Sequence, residues 1–128
     1  MWYTAASWPV VQRGKEVVVA YQKVAFICGP YSAGRLSVLE NIRAAEAAAI
    51  QVWRRGYVAL CPHKNTAHFD GILPDDTWLL GDMTLLARCD CLVTVPGWET
   101  SNGARAEVDW ARSVDMPIYH NWHDPETP

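Results

Sequence analysis

Three short apolar runs, each closed by proline or glycine and each followed by a helix-forming stretch, limit this chain to very few folds. Val24-Ala-Phe-Ile-Cys28 ends at Gly29-Pro30, Tyr57 to Leu60 ends at Cys61-Pro62, and Cys91 to Val95 ends at Pro96-Gly97. Runs this short with no polar alternation suit strands buried on both faces, as parallel strands are. Strands alternating with helices imply a parallel sheet with right-handed crossovers and helices on both sides. The expected fold is α/β, a small Rossmann-like or flavodoxin-like three-layer sandwich with a four- to five-stranded parallel sheet. A chain of 128 residues has room for one such domain, with a core that needs no disulfide or structural metal.

The connecting stretches carry their own signals. Ser37-Val-Leu-Glu40 has the spacing of a capping box, and Leu39, Ile42, Ala45, Ala49, Val52 and Trp53 are expected on one helical face until Gly56 stops the helix. His63 to Pro74 reads as a long polar loop at a strand end, where loops usually serve function. Asp75 or Asp76 is the expected cap of a second helix running to about Arg88, with Trp78, Asp82, Leu85, Leu86 and Cys89 along one side. A third helix is expected from Thr100/Ser101 to about Val114, and Pro117 to His120 as a fourth short strand. Residues 1–22 read as an N-terminal extension or edge strand, with Glu16 to Ala20 as a candidate strand; the domain proper spans 23–128. The tail, Asn121 to Pro128, reads as polar surface.

Charge and composition exclude some partners. The formal charge of −3 with both signs interspersed gives no basic stripe, so nucleic acid is not expected as a partner. No apolar run approaches the roughly 20 residues that cross a bilayer, so no membrane partner is expected. Cys28, Cys61, Cys89 and Cys91 form no C-x-x-C pair and no convincing secretory signal precedes them, which points to a reduced, cytoplasmic protein. His63 with His68, or His120 with His123, lacks a third ligand at a metal-binding spacing, and no metal is expected.

Two turns and two carboxylates carry the candidate chemistry. Gly29-Pro-Tyr-Ser-Ala-Gly34 follows the first strand, where backbone amides and a helix N-terminus suit an anion or a sugar hydroxyl. An ordinary strand-to-helix turn explains it equally well. It is neither G-x-G-x-x-G nor a P-loop, so NAD-type cofactors and ATP hydrolysis are discounted and no cofactor is expected. Ser101-Asn-Gly103 opens the third helix, where Ser101 is either a hydroxyl-binding residue or simply a cap. Glu107 lies close to the stripe that must face the sheet, so it needs a partner or a cavity. Asp82 poses the same question on the preceding helix. A second carboxylate near Glu107 would make the acid/base or nucleophile/acid pair that glycosyl transfer uses. Trp78 and Trp98 either stack on a flat base or belong to the core.

With these residues in place, the chain resembles the nucleoside 2-deoxyribosyltransferase superfamily, in particular its small bacterial and phage members. The resemblance covers residues 24 to 120 and rests on Phe26-Ile-Cys-Gly-Pro-Tyr-Ser32, Asn41, Gly56 to Pro62, Trp78 to Asp90, and Pro96 to Glu107. It implies that Glu107, in a pattern similar to Ser-x-Gly-x-x-x-Glu, is the nucleophile that attacks C1′ of a nucleoside or nucleotide and forms a glycosyl-enzyme ester. Water or a second base would then take the sugar. It implies that Asp82 assists protonation of the leaving base, that Phe26, Gly29, Pro30, Ser32, Trp98, Ser101 and Gly103 bind substrate, and that the protein self-associates as a dimer or higher homo-oligomer. Two positions depart from the pattern. Phe26 stands where active members have Tyr, whose hydroxyl orients the nucleophile, and this motivates an alternative: a non-catalytic nucleotide-binding module of the same fold. Ser101 is acidic in transferases of free deoxynucleosides and Ser in monophosphate N-glycosidases, which favours a nucleotide. No Arg follows Gly29 closely, however, as the monophosphate enzymes provide. A homo-oligomeric scaffold without a ligand ranks last, because it leaves Glu107 and the His63 loop unexplained.

Overall fold

A computed structural model describes residues 10–14, 16–19 and 22–120. The expectations for residues 1–9, for Ala20 and for the tail from Asn121, including His123, lie outside the described residues. Strands β1 (Val10–Arg13) and β2 (Glu16–Val19) form an antiparallel hairpin whose turn holds Gly14 at φ 58°. This hairpin is a two-stranded sheet of its own, separate from the main sheet.

The main sheet contains β3 (Val24–Cys28), β4 (Val58–Leu60), β5 (Cys91–Thr94) and β6 (Ile118–His120), all parallel, in the order β4-β3-β5-β6. The connection from β3 runs outward to β4 and the connection from β5 runs the opposite way to β6, so a crevice opens at the carboxyl ends of β3 and β5. Open α/β sheets of this strand order bind ligands there. The fold is thus the expected small α/β sandwich, Rossmann-like or flavodoxin-like, with four parallel strands flanked by helices.

Side chains alternate across the sheet and build a core on each face. Ala25 and Ile27 of β3, with Cys91 and Val93 of β5, meet Ala45, Ala49 and Val52 of helix α1 (Val38–Arg54). Phe26 and Cys28, with Leu92, meet Leu86 of α3 (Asp75–Leu86) and Ala104, Val108 and Ala111 of α4 (Asn102–Ser113). Small residues on α1 and α4 let both helices lie close to the sheet. Gly29 is needed where β3 meets β5, because a Cβ there would fall 2.7 Å from Val95 Cβ.

Helix α1 begins with the complete capping box, Ser37 Oγ accepting from the Glu40 amide and Glu40 accepting from the Ser37 amide. Gly56, at φ 82°, follows its end. The expected apolar face needs correction: Leu39 and Trp53 are 55% and 53% exposed. One turn of 3.6 residues carries both past the sheet-facing stripe, and Asn41 is buried instead. Its side-chain amide donates to the carbonyls of Tyr31 (2.8 Å) and Ala33 (3.3 Å), pinning the loop after β3 to the helix.

The segment after β4 also differs from the expected loop. Pro62–Asn65 is a short helix, α2, with proline in its first turn, where a missing amide costs nothing. Helix α3 starts after Pro74 with no side-chain cap. Asp75 and Asp76, expected as caps, lie in its first turn, where their charge favours the positive helix end. A 3-10 turn at Trp98–Thr100 follows Gly97, at φ 88°, and leads into α4. Ser101 caps α4 by accepting from the Ala104 amide at 3.2 Å. Among the described residues no helix is long and apolar enough to cross a membrane.

Candidate functional site

The crevice at the carboxyl ends of β3 and β5 is a cavity of about 680 Å³. Gly29, Tyr31 and Ser32 line it from the loop after β3, and His63 from α2. Trp78 and Asp82 line it from α3, and Ser101, Gly103 and Glu107 from the start of α4. Trp78 and Asp82 share one side of α3 because they are four residues apart. Gly103 lets α4 approach α3, since a Cβ there would lie 3.2 Å from Leu79 Cδ2.

Glu107 is 9% exposed. The Cys28 thiol lies 3.4 Å from its Oε1 and 3.4 Å from the Ala104 carbonyl oxygen, so its single proton has two acceptors within reach. Burial, and then the charge of Asp82, push the Glu107 carboxyl up to about 8; the contact with Cys28 works in the opposite direction. Burial alone pushes Asp82 up to about 6. At neutral pH the two carboxyls therefore hold one proton between them, on Glu107, while Asp82 is ionised. Separated pKa values in one cleft are the arrangement that assigns acid and base roles in enzymes.

Aromatic rings also line the cavity. His63 is 7% exposed, and its Nε2 sits 2.8 Å from the Pro30 carbonyl oxygen. Burial holds its pKa below the ordinary value, with the Pro30 and Gly29 carbonyls opposing. Its ring lies 6.1 Å from that of Tyr31, and the Trp78 ring lies 5.9 Å from that of Phe69. Tyr31 donates its hydroxyl to Asp70 (2.9 Å) and accepts from the His68 amide (3.1 Å), which ties the β3 loop to the segment after α2. Among the described residues, His63 Nδ1 and Trp78 Nε1 are buried without a hydrogen-bond partner.

The lining has one sign of charge. Asp70, Asp75, Asp82 and Glu107 contribute carboxyls, and no Lys or Arg lines the cavity among the described residues. Arg105, close in sequence, donates instead to the Glu99 carbonyl and to Asn102 Oδ1.

Of the residues proposed from sequence, Gly29, Ser32, Asp82, Ser101, Gly103 and Glu107 line this one cavity. Phe26 does not; it is 0% exposed and packs in the core beneath α3 and α4. Pro30 is buried beside the cavity and takes part through its carbonyl, which His63 meets. Trp98 does not line it either: its ring stacks on His120 at 5.7 Å and 21°. Sequence reasoning considered His63 only as a metal ligand and Cys28 only as a buried thiol. Both sit at a strand's carboxyl end or just after it, a position that could have singled them out.

Residues 25–120 match the profile of a family described as a domain of unknown function (DUF4406). No curated protein matches the chain.

Proposed function

We propose that this chain, which belongs to the DUF4406 family, cleaves the base–sugar bond of a nucleoside through a covalent glycosyl-enzyme on Glu107. The observation that carries this reading is the meeting of Glu107 and Asp82, from two different helices, in one cavity at the sheet's switch point, with their proton affinities pushed apart. In the resting pair the proton is on Glu107. Its transfer to Asp82 leaves a carboxylate on Glu107 and an acid on Asp82. The carboxylate forms a bond to C1′ as the C1′–N bond breaks, and Asp82 gives its proton to the departing base. Water, or a second base, then attacks C1′, Asp82 takes the released proton, and Glu107 is freed. Water makes the protein an N-glycosidase; a base makes it a deoxyribosyltransferase. The all-acidic lining favours an uncharged nucleoside over its 5′-monophosphate, since phosphate would face carboxylates with no cation. Ser101, which favoured a nucleotide from sequence, accepts the Ala104 amide to cap α4 and has only its single O–H to offer a phosphate.

A second reading, a nucleotide-binding module without turnover, is favoured by one feature: Glu107 rests protonated against a thiol, a weak donor. Incubation with deoxynucleosides and their monophosphates, with and without an acceptor base, separates the two. The enzyme reading expects free base from wild type and none from Glu107→Gln. It also expects a sugar adduct on the Glu107 peptide by mass spectrometry. Binding without base release or adduct would leave the second reading.

A further inference from the structure

The lone pair and the N–H left unpartnered in the cavity wall define what it can recognise. The Pro30 carbonyl oxygen can only accept, so His63 Nε2 must carry the hydrogen of that 2.8 Å contact. Burial disfavours the charged ring, and the neutral ring with its hydrogen on Nε2 leaves Nδ1 bare and able only to accept. Trp78 Nε1 can only donate. Both atoms are buried without a partner among the described residues, and both side chains line the cavity. Leaving such groups unsatisfied destabilises the protein, a cost that a ligand with matching groups removes.

The positions of the two side chains say which part of a ligand meets them. On the proposed reading, Asp82 protonates the base, so the base lies against α3 at that residue. Trp78 is four residues earlier on the same side, about 6 Å along the helix axis. A flat ring leaving Asp82 in that direction passes Trp78, and His63 and Tyr31 line the same cavity. We infer that His63 and Trp78 read the nucleobase: His63 Nδ1 accepts from a base N–H and Trp78 Nε1 donates to a base carbonyl or ring nitrogen. The inference rests on the glycosyl-transfer reading for the identity of the ligand, while the hydrogen-bond pattern stands on the two side chains alone. The substrate class that follows is a nucleoside whose base offers one donor and one acceptor on its edge.

The test uses free bases, so that it does not depend on turnover. Hypoxanthine, uracil and adenine are titrated into the protein, with analogues N-methylated at the edge donor as controls. Binding is followed by calorimetry, and by nitrogen NMR of the His63 ring and the Trp78 indole. Base binding should shift the unprotonated His63 Nδ1 signal and the indole N–H together. His63→Phe keeps a ring but removes the acceptor nitrogen, and Trp78→Phe keeps a ring but removes the donor. Each should weaken binding about ten-fold, as expected for one buried hydrogen bond. Methylation of the donor should weaken binding to wild type but not to His63→Phe. Bases that bind both variants as they bind wild type, or that bind wild type without moving either signal, overturn the inference. So does the absence of base binding, even where nucleoside turnover is observed. Base binding that needs both side chains, with no base release from any nucleoside, supports the inference and sinks the reaction.

Discussion

Replacing Glu107 by Gln should make the protein more stable, and only at high pH. The carboxyl is raised from its ordinary 4.5 to about 8 by burial and by the charge of Asp82. The folded state therefore keeps a proton that the unfolded chain gives up. The stabilising contribution is complete below pH 4.5, is lost as pH climbs from there to about 8, and is constant beyond. At about 1.4 kcal/mol per pH unit, the loss amounts to about 5 kcal/mol. Domains of this kind have only about 5–15 kcal/mol in total, so the effect is large. Glutamine has the shape of the protonated acid and never ionises, so the variant should match wild type within about 1 kcal/mol near pH 4.5. At pH 8.5 it should exceed wild type by a gap approaching 5 kcal/mol. With a urea m-value of about 2 kcal/mol per molar, this separates the midpoints by roughly 2 M. Asp82 is present in both proteins, so its own titration largely cancels. Urea unfolding followed by tryptophan fluorescence at several pH values measures the gap. A gap that is the same at pH 5 and pH 8.5 would refute the reasoning, because Glu107 would then be ionised in the fold and the shared proton would not exist.

Other outcomes follow from the same geometry. Base release should be bell-shaped in pH, with kcat/KM falling below about 6 and above about 8, because the active pair holds one proton; a plateau through pH 9 would contradict it. Cys28→Ala removes the donor that lowers the Glu107 pKa, and should move the upper limb of that profile up by roughly half a pH unit to one unit. Cys28→Ser, with a stronger donor, should not move it up. Gly29→Ala should cost about 1–3 kcal/mol by driving its methyl into Val95, read as a lower thermal midpoint with no change in the pH profile of what remains folded.

Three strands of the main sheet were legible because each apolar run is short and ends at a breaker. Cys28, Leu60 and Thr94 close these strands, and the ends of the first and the third flank the crevice. Glu107 was legible for a related reason: an acid on the sheet-facing stripe of a helix has nowhere to go but a cavity. What misled were side chains whose roles depend on packing between elements. Leu39 and Trp53 fit an apolar list, but the helical turn carries them away from the sheet. Trp98 sits beside the right strand end, yet its turn directs the ring onto His120, a partner 22 residues later in the chain that no local pattern announces. Asp75 and Asp76 suit a cap by residue type, but Pro74 already supplies the helix entry. The unpartnered atoms of His63 and Trp78 were beyond sequence reasoning altogether, because satisfaction of a hydrogen bond is a property of the assembled wall.

Phe26 and Cys28 show how the site differs from the one the resemblance implied. Residues two apart on a strand point to the same face, so both lie on the side of the sheet covered by α3 and α4. Cys28 is the nearer to the carboxyl end, and its thiol, not a group at position 26, meets Glu107. A thiol stabilises a carboxylate less than a phenol does, which helps explain why Glu107 rests protonated. The acidic lining makes that state useful under the proposed reaction. A carboxylate on Glu107 is costly first because it is buried and then because it faces the charge of Asp82, and Asp70 and Asp75 add two more carboxyls to the lining. When the glycosidic bond stretches, positive charge grows on the sugar, as it does in glycoside cleavage generally. The same carboxylates then stabilise the transition state more than the ground state, which is the difference that accelerates a reaction. One sign of charge thus accounts for both the preference against phosphate and the stabilisation of a cationic sugar. A Lys introduced at Asp75 tests the two together: it should admit the monophosphate and slow cleavage of the free nucleoside. If instead cleavage of the free nucleoside quickens, the lining acts through something other than its charge.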